Sequence, residues 1–447
     1  MQRTVNPNDA LDRTLSEAEA RYQARHPKSA ARQQVAAQHM PGGNTRTVLY
    51  YSPFPLAWAS GKGNRLSDID GMEYLDLLGE FSAGLYGHNN AIIRNAIKTA
   101  VDDGIALGGP NIYEAQLAAA IRGRFPSIDL IRFTNSGTEA NLMALSSVRA
   151  LRPERARVLV FNGSYHGGVF NFHDGSSPLN VPLDWLIGEY NDVEGTRALL
   201  RAHAGGIAAV LVEPMMGAAG CIPGTPEFLG MLREECTAGD IVLIFDEVMT
   251  SRLSISGLQG RFRIKPDMTT LGKYLGGGAS FGAFGGRRDL LERFDPSRAD
   301  TFEHPGTFNN NVLSMAAGLA GLTQIFTPAE AVRINSLGDR LREQLNSIAT
   351  ARGTPFQATG VGSLIGLHFN PGTMRRSSHH KSAAAGKAQL AIDSLFHLEM
   401  LERGYYFARR GYIALSLPTT DADCDDFATA FDHFLQNRGP LIETALS

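Results

Sequence analysis

The sequence predicts an α/β fold, with a large domain built on a mainly parallel sheet and a smaller α+β unit beside it. Three observations lead there. From about Tyr113, short apolar runs alternate with helical stretches, the pattern of strands joined by right-handed crossovers. Several of the runs end in loops of glycine, hydroxyl and carboxylate residues, and ligands of open α/β sheets gather at such strand ends. The chain's 447 residues are also more than one core usually organises, so two domains are expected.

Taken in order, about Ala10 to Ala36 suits one exposed amphipathic helix. Pro41 to Arg46 is turn-rich and leads into the apolar and aromatic segment Val48 to Trp58, and Leu66 to Asp76 carries an Asp70-Gly71 hairpin signal. Buried strands are expected at Leu130–Phe133, Val158–Phe161, Ile207–Val212, Ile241–Phe245 and Met268–Leu271. One intervening helix opens at Thr225-Pro226, with Thr as N-cap and Pro at the first helical position. After a helical stretch from Asn309 to Phe326, helices near 331–352, 384–403 and 422–436 and strands near 363–369 and 412–417 make the smaller unit. The expected divisions are an N-terminal segment 1–69 belonging to the small domain, a large domain 70–328 and a C-terminal small domain 329–447. The insertion Pro371 to Lys387 is polar and reads as a solvated loop rather than a lid or a metal-binding His379-His380 pair.

Composition excludes some functions. With 43% apolar residues, 19% charged residues and a net charge of -3, the chain has no basic excess for nucleic acid. Cys221, Cys236 and Cys424 are scattered and indicate neither a disulfide framework nor a zinc site. Neither a signal segment nor an apolar run near 18 residues is apparent, so a cytoplasmic protein is expected.

Four stretches carry chemistry. Thr134 to Asn141 follows a strand and opens a helix; Ser136 and Glu139 have capping-box spacing, and Gly137 admits a ligand close to free N–H groups. That suits a phosphate, or simply a well-capped helix. Asp246-Glu247 closes a buried strand, where an acid can face a protonated heterocyclic nitrogen, make a salt bridge or cap a helix. Gly163 to Gly168 presents Tyr165, able to stack on a planar ring, and His166, read as a hydrogen-bonded structural residue. Lys273 stands between an apolar run and Gly276-Gly277-Gly278; held neutral, its amine can bind a carbonyl cofactor covalently. Together these requirements describe pyridoxal phosphate.

With Asn135 to Ala140, Tyr165-His166-Gly167, Val212-Glu213-Pro214, Phe245 to Thr250, Leu271-Gly272-Lys273 and Gly306-Thr307-Phe308, the chain resembles the class III aminotransferases of the fold-type I pyridoxal phosphate enzymes. The resemblance implies a mainly parallel seven-stranded sheet in the large domain and a homodimer with its site at the subunit interface. It makes Lys273 the cofactor-bearing lysine and Asp246 the partner of the ring nitrogen, with Val248 and Tyr165 sandwiching the ring. The resemblance also implies that Gly137 and Thr138 bind the phosphate, joined by Thr307 of the second subunit, and that Ser136 and Glu213 belong to the cofactor-binding set.

Within the family, Asp246 to Thr250 and the glycine-rich 276–286 stretch are similar to glutamate-1-semialdehyde 2,1-aminomutase. Met40-Pro41-Gly42, Ser52 to Leu56, Gly220 to Gly224, Met249 to Leu253, Thr307 to Asn311 and Leu415 to Pro418 are more similar to β-phenylalanine aminotransferase. That similarity implies carboxylate receptors at Arg46 and Arg410, with Arg409 competing for the second role. It implies ping-pong transfer from an aromatic β-amino acid to a 2-oxo acid, 2-oxoglutarate or pyruvate, through pyridoxamine phosphate. Intramolecular amine transfer, amination of a cyclic oxo acid, and a cofactor-binding regulator are the other readings. The aromatic residues Tyr50, Tyr51, Phe54 and Tyr86 suit either a substrate pocket or the core.

Overall fold

The apolar runs assemble into one seven-stranded sheet in a computed structural model that describes residues 7–173, 175–370, 372 and 386–446. Its strands are β1 (Leu130–Thr134), β2 (Arg157–Phe161), β3 (Asp184–Gly188), β4 (Ile207–Val212), β5 (Val242–Asp246), β6 (Met268–Gly272) and β7 (Gly282–Gly286). They lie in the order β1-β7-β6-β5-β4-β2-β3. Neighbours are parallel except at β7, which is antiparallel to both β1 and β6. Every residue of β4, β5 and β6 is buried, because helices cover both sheet faces and leave no polar side to the strands.

Two strands of this sheet escape the sequence reading. In β3, exposed Asp184 and half-buried Trp185 belong to an edge strand and give no continuous apolar run. In β7, glycine occupies three of the five positions Gly282-Ala283-Phe284-Gly285-Gly286, a composition that argues against a strand. Gly282 is required by packing: a Cβ there would overlap the Ser136 carbonyl of the loop after β1.

The C-terminal unit has an antiparallel sheet of Gln357–Val361, Leu364–His368 and Tyr412–Ala414, covered by the helices Pro328–Arg352, Gly386–Glu402 and Asp421–Leu446. The N-terminal strands Trp58–Lys62, Arg65–Asp68 and Glu73–Asp76 form another sheet, completed by Tyr405–Tyr406. The Asp70-Gly71 turn joins Arg65–Asp68 to Glu73–Asp76 as a hairpin, so a division at 69/70 cuts through that turn. The division at 328/329 falls in the first turn of Pro328–Arg352.

The single N-terminal helix expected from the charge pattern is two helices, Pro7–Arg25 and Pro27–Ala37. Pro27 cannot donate a backbone hydrogen bond and starts the second one. At the break, buried His26 bonds the Tyr22 carbonyl at 2.7 Å and the Tyr74 hydroxyl at 2.9 Å, which fastens this segment to the β-hairpin. No single helix among the described residues is long and apolar enough to cross a membrane. The insertion Pro371 to Lys387 lies outside the described residues apart from Gly372, Gly386 and Lys387.

Candidate active site

The loops after β1, β2, β5 and β6 converge on a cavity of about 1370 Å³. Val248 is their meeting point. A Cβ on Gly137 would stand 2.7 Å from Val248 Cγ1, and one on Gly272 3.1 Å from the same atom. The helix start after β1 and the residue preceding Lys273 therefore both approach the loop after β5 as closely as glycine permits. The loop after β2 joins them through Gly168 N–H, which donates to Thr138 Oγ1 at 3.3 Å.

Ser136 caps the helix Gly137–Leu151 by accepting from Glu139 N–H at 3.2 Å. The return bond of the expected capping box is displaced by one residue, since Glu139 accepts from Asn135 N–H at 2.7 Å. A capped helix start with free N–H groups and the positive end of the helix dipole faces the cavity at Gly137 and Thr138.

Asp246, at the end of β5, is 5% exposed and lines the cavity. Its Oδ2 accepts from Asn141 Nδ2 and His166 Nδ1, each at 2.8 Å, and its Oδ1 from Val248 N–H at 3.0 Å. Three converging donors are the surroundings of a carboxylate. Thr270 continues the chain by donating to Asn141 Oδ1 at 2.7 Å. His166 thus keeps the hydrogen-bonding role read for it and gains a specific one, holding Asp246 in place. Glu247 turns away from the cavity and accepts from Thr250, Leu258 and Gln259. The adjacent carboxylates consequently divide two of the roles open in the sequence, with Asp246 facing the site and Glu247 securing the helix Gly257–Phe262.

Sequence reading gave Asn141 no role. Its available signal was a polar residue beside Ala140, Ala144, Leu145 and Val148 on the helix's buried face, where only a hydrogen-bonded amide is tolerated.

Lys273 follows β6 with φ 56°, a left-handed conformation that side chains other than glycine's rarely adopt and that recurs at functional sites. Its Nζ donates to the Phe81 carbonyl at 2.8 Å. Burial lowers the amine to a pKa of about 8; Arg46 and Arg410 push the same way, while Asp246 and Glu80 oppose them. Near neutrality a useful fraction is then unprotonated, the form that attacks a carbonyl.

Tyr165 remains 45% exposed at the cavity wall, and its N–H donates to Glu213 Oε1 at 3.0 Å. Glu213 also accepts from Gly217 N–H at 2.9 Å, and burial, aided by Asp246, raises its pKa to about 7. Ser136, Glu213, Val248 and both candidate receptor arginines line the cavity. Thr307 does not; it is exposed on this chain beside Phe308, which is 65% exposed.

Arg46 pairs with Glu80 and lies over the Phe81 ring at 5.2 Å. Arg410 lies over the same ring at 5.7 Å and over Tyr412 at 5.8 Å. Among the described residues Arg410 has neither a hydrogen-bond nor an ion-pair partner, whereas Arg409 Nη1 donates to Ser394 Oγ at 3.1 Å. The aromatic cluster weighed for the pocket belongs elsewhere. Tyr51, Phe54 and Tyr86 are core residues, Tyr50 is half-exposed, and none of the four lines the cavity.

The family model described as aminotransferase class-III matches residues 50–174 and 186–435. The chain belongs to the class-III aminotransferase family. It is 48% identical over 436 residues to the β-phenylalanine transaminase of Variovorax paradoxus, covering 98% of this chain and 99% of that one. It is 35% identical to a glutamate-1-semialdehyde 2,1-aminomutase of Sorangium cellulosum, over 90% of this chain and 94% of the other. The solved β-phenylalanine aminotransferase from Variovorax paradoxus superimposes with a TM-score of 0.94 at 46% identity, covering 96% of this chain and 99% of that one.

As a class-III aminotransferase the protein is an enzyme that uses pyridoxal phosphate. The cavity fits that cofactor. It combines a glycine-walled helix start for an anion, a buried carboxylate fixed by three donors, and a lysine amine whose proton is loosened by burial.

Proposed function

We propose that this enzyme is a β-amino-acid transaminase that moves the amine of an aromatic, β-phenylalanine-like donor to a 2-oxo acid, 2-oxoglutarate or pyruvate, in ping-pong order. The observation that carries the reading is the pair of guanidinium groups, Arg46 and Arg410, flanking Phe81 in the cavity that Lys273 shares. A β-amino acid carries its carboxylate one carbon further from the amine than an α-amino acid does. Two receptors let both substrates bring their reacting carbon to one place. The near full-length likeness to the Variovorax β-phenylalanine transaminase supports the same choice.

In this reading Arg46 receives the donor's carboxylate and Arg410 the acceptor's. Arg410 is preferred to Arg409 because Arg409 is already bonded to Ser394. Phe81, Phe281 and Tyr412 offer apolar wall to an aromatic side chain.

Gly137 and Thr138 would hold the cofactor's phosphate, Asp246 its ring nitrogen, and Tyr165 and Val248 its two faces. When bound, pyridoxal phosphate supplies an aldehyde to take up the amine and a ring to accept the electron pair. Lys273 removes the proton from the amine-bearing carbon of the donor and redelivers it, as general base and then general acid. The protein is further proposed to act as a homodimer, with Thr307 serving the phosphate of the second subunit. Exposed Phe308 beside it, and Ile105, Leu107 and Ile112 on a nearby exposed segment, offer the apolar surface such an interface needs. Asn111 ties that segment to Asn310 through a 2.8 Å bond.

Single-substrate kinetics of Arg46→Ala and Arg410→Ala test the division of labour. Arg46→Ala is expected to raise the KM of the β-amino donor by about 10- to 100-fold, the worth of a charge-assisted hydrogen bond, and to leave that of the oxo acid within a few-fold. Arg410→Ala should do the reverse, and equal effects of either variant on both substrates would refute the assignment.

A further inference from the structure

Glu80 sits in an unusual piece of backbone. The residues Gly79, Glu80, Phe81 and Ser82 have φ of 53°, 46°, 52° and 77°, a left-handed turn in which three of the four residues carry side chains that disfavour it. The surroundings hold the turn in place. Asp76 Oδ1 accepts from Leu78 and Gly79 N–H at 2.8 and 3.0 Å. Lys273 Nζ donates to the Phe81 carbonyl, and the fully buried Arg252 donates to the Ser82 carbonyl at 3.4 Å.

This geometry puts Phe81 beneath the Arg46 guanidinium and, one residue earlier, the Glu80 carboxylate against it. The other carboxylates at the cavity are committed elsewhere. Asp246 is fixed by Asn141, His166 and Val248, Glu213 by the backbone of Tyr165 and Gly217, and Asp393 accepts from Gln389 Nε2 at 2.9 Å. Glu80 differs, because its side chain is 58% exposed and its partner's 43% exposed. An ion pair open to solvent contributes little to stability and parts readily.

We propose that Glu80 is an internal stand-in for the substrate carboxylate: it neutralises Arg46 in the empty site and is displaced when the donor's carboxylate arrives. This rests on the assignment of Arg46 as the donor's receptor. Arg410 has no such stand-in among the described residues, so the two receptors differ in their resting state. Glu80 therefore acts as a specificity-determining residue. A donor bearing a carboxylate competes with Glu80 for Arg46, whereas an amine lacking one enters with the Arg46–Glu80 pair closed and leaves no unpaired cation facing its apolar end.

The test compares the unsubstituted holoenzyme with Glu80→Gln on two donors. One is β-phenylalanine; the other is 1-phenylethylamine, in which a methyl group replaces the carboxymethyl arm. With its competitor uncharged, Arg46 should bind the first donor more tightly, and KM is expected to fall about two- to fivefold, the worth of an exposed ion pair. For 1-phenylethylamine kcat/KM should fall by a similar factor. Calorimetric titration with 3-phenylpropanoate, a carboxylate without an amine, should show about two- to fivefold tighter binding to the variant. Opposite movement of the two donors supports the proposal, since a structural defect would impair both. Movement in the same direction, or unchanged 3-phenylpropanoate binding, overturns it. If the unsubstituted enzyme converts neither donor, the β-amino-acid reading fails as well, which separates the two failures.

Discussion

Lys273→Ala is expected to purify as a folded protein that lacks the visible absorbance of a covalently held cofactor and transaminates at least about 1000-fold more slowly, a loss of the size general base catalysis supplies. Loss of activity alone would not distinguish a missing catalyst from a damaged fold, so circular dichroism should match the unsubstituted protein. The lysine's environment adds a pH signature. Burial and Arg46 place the amine at about 8 instead of its ordinary 10.5, so it gains its reactive neutral form as pH rises through about 8. The rate at which the cofactor-free enzyme takes up pyridoxal phosphate should climb across that interval and level off above it. A rate still rising steeply toward pH 10.5 would mean that Lys273 is not in the desolvated setting described.

The second large effect is expected at Asp246. Replacing it with asparagine preserves its size but turns one oxygen into an N–H₂ donor. Asn141, His166 and Val248 already donate to this side chain, so one donor is left facing another and the negative charge is lost. The expected result is a fall in kcat of at least about 100-fold, the scale of removing a preorganised electrostatic partner. A stability loss of about 1–3 kcal/mol should accompany it, from the unsatisfied buried groups. Asn141→Ala should show a milder version of the same change, because it removes one donor and leaves the carboxylate in place. A Asp246→Asn variant with near-normal kcat would remove Asp246 from the chemistry.

How much of this was legible depends on whether a residue's role is local. The five short runs were readable because apolar residues fill most of their positions, as strands covered on both faces allow, and each lies in the central sheet. Strand β7 was hidden because its glycines answer to a neighbour distant in sequence, the Ser136 carbonyl. Strand β3 was hidden by its position at the sheet edge. The site follows the same rule. Lys273, Asp246 and Tyr165 stand at or just after strand ends and announce themselves by residue type, and the structure brings all three to one cavity. Asn141 and Thr270 act through Asp246, so their roles appear only after the helix Gly137–Leu151 is packed against β5 and β6. Glu80 was the least legible, since its contact with Arg46 depends on a left-handed turn that nothing in Gly79-Glu80-Phe81-Ser82 requires locally.

The central claim, that Lys273 and the two receptor arginines serve a transaminase for β-amino acids, is tested most directly by the first half-reaction. Purified holoenzyme is mixed, without any oxo acid, with β-phenylalanine, with α-phenylalanine and with 1-phenylethylamine, and the visible absorbance of the bound cofactor is followed. The fastest loss is expected with β-phenylalanine, together with release of the matching 3-oxo acid and recovery of the band when 2-oxoglutarate or pyruvate is added. A band that β-phenylalanine leaves intact while α-phenylalanine or another donor bleaches it would contradict the account.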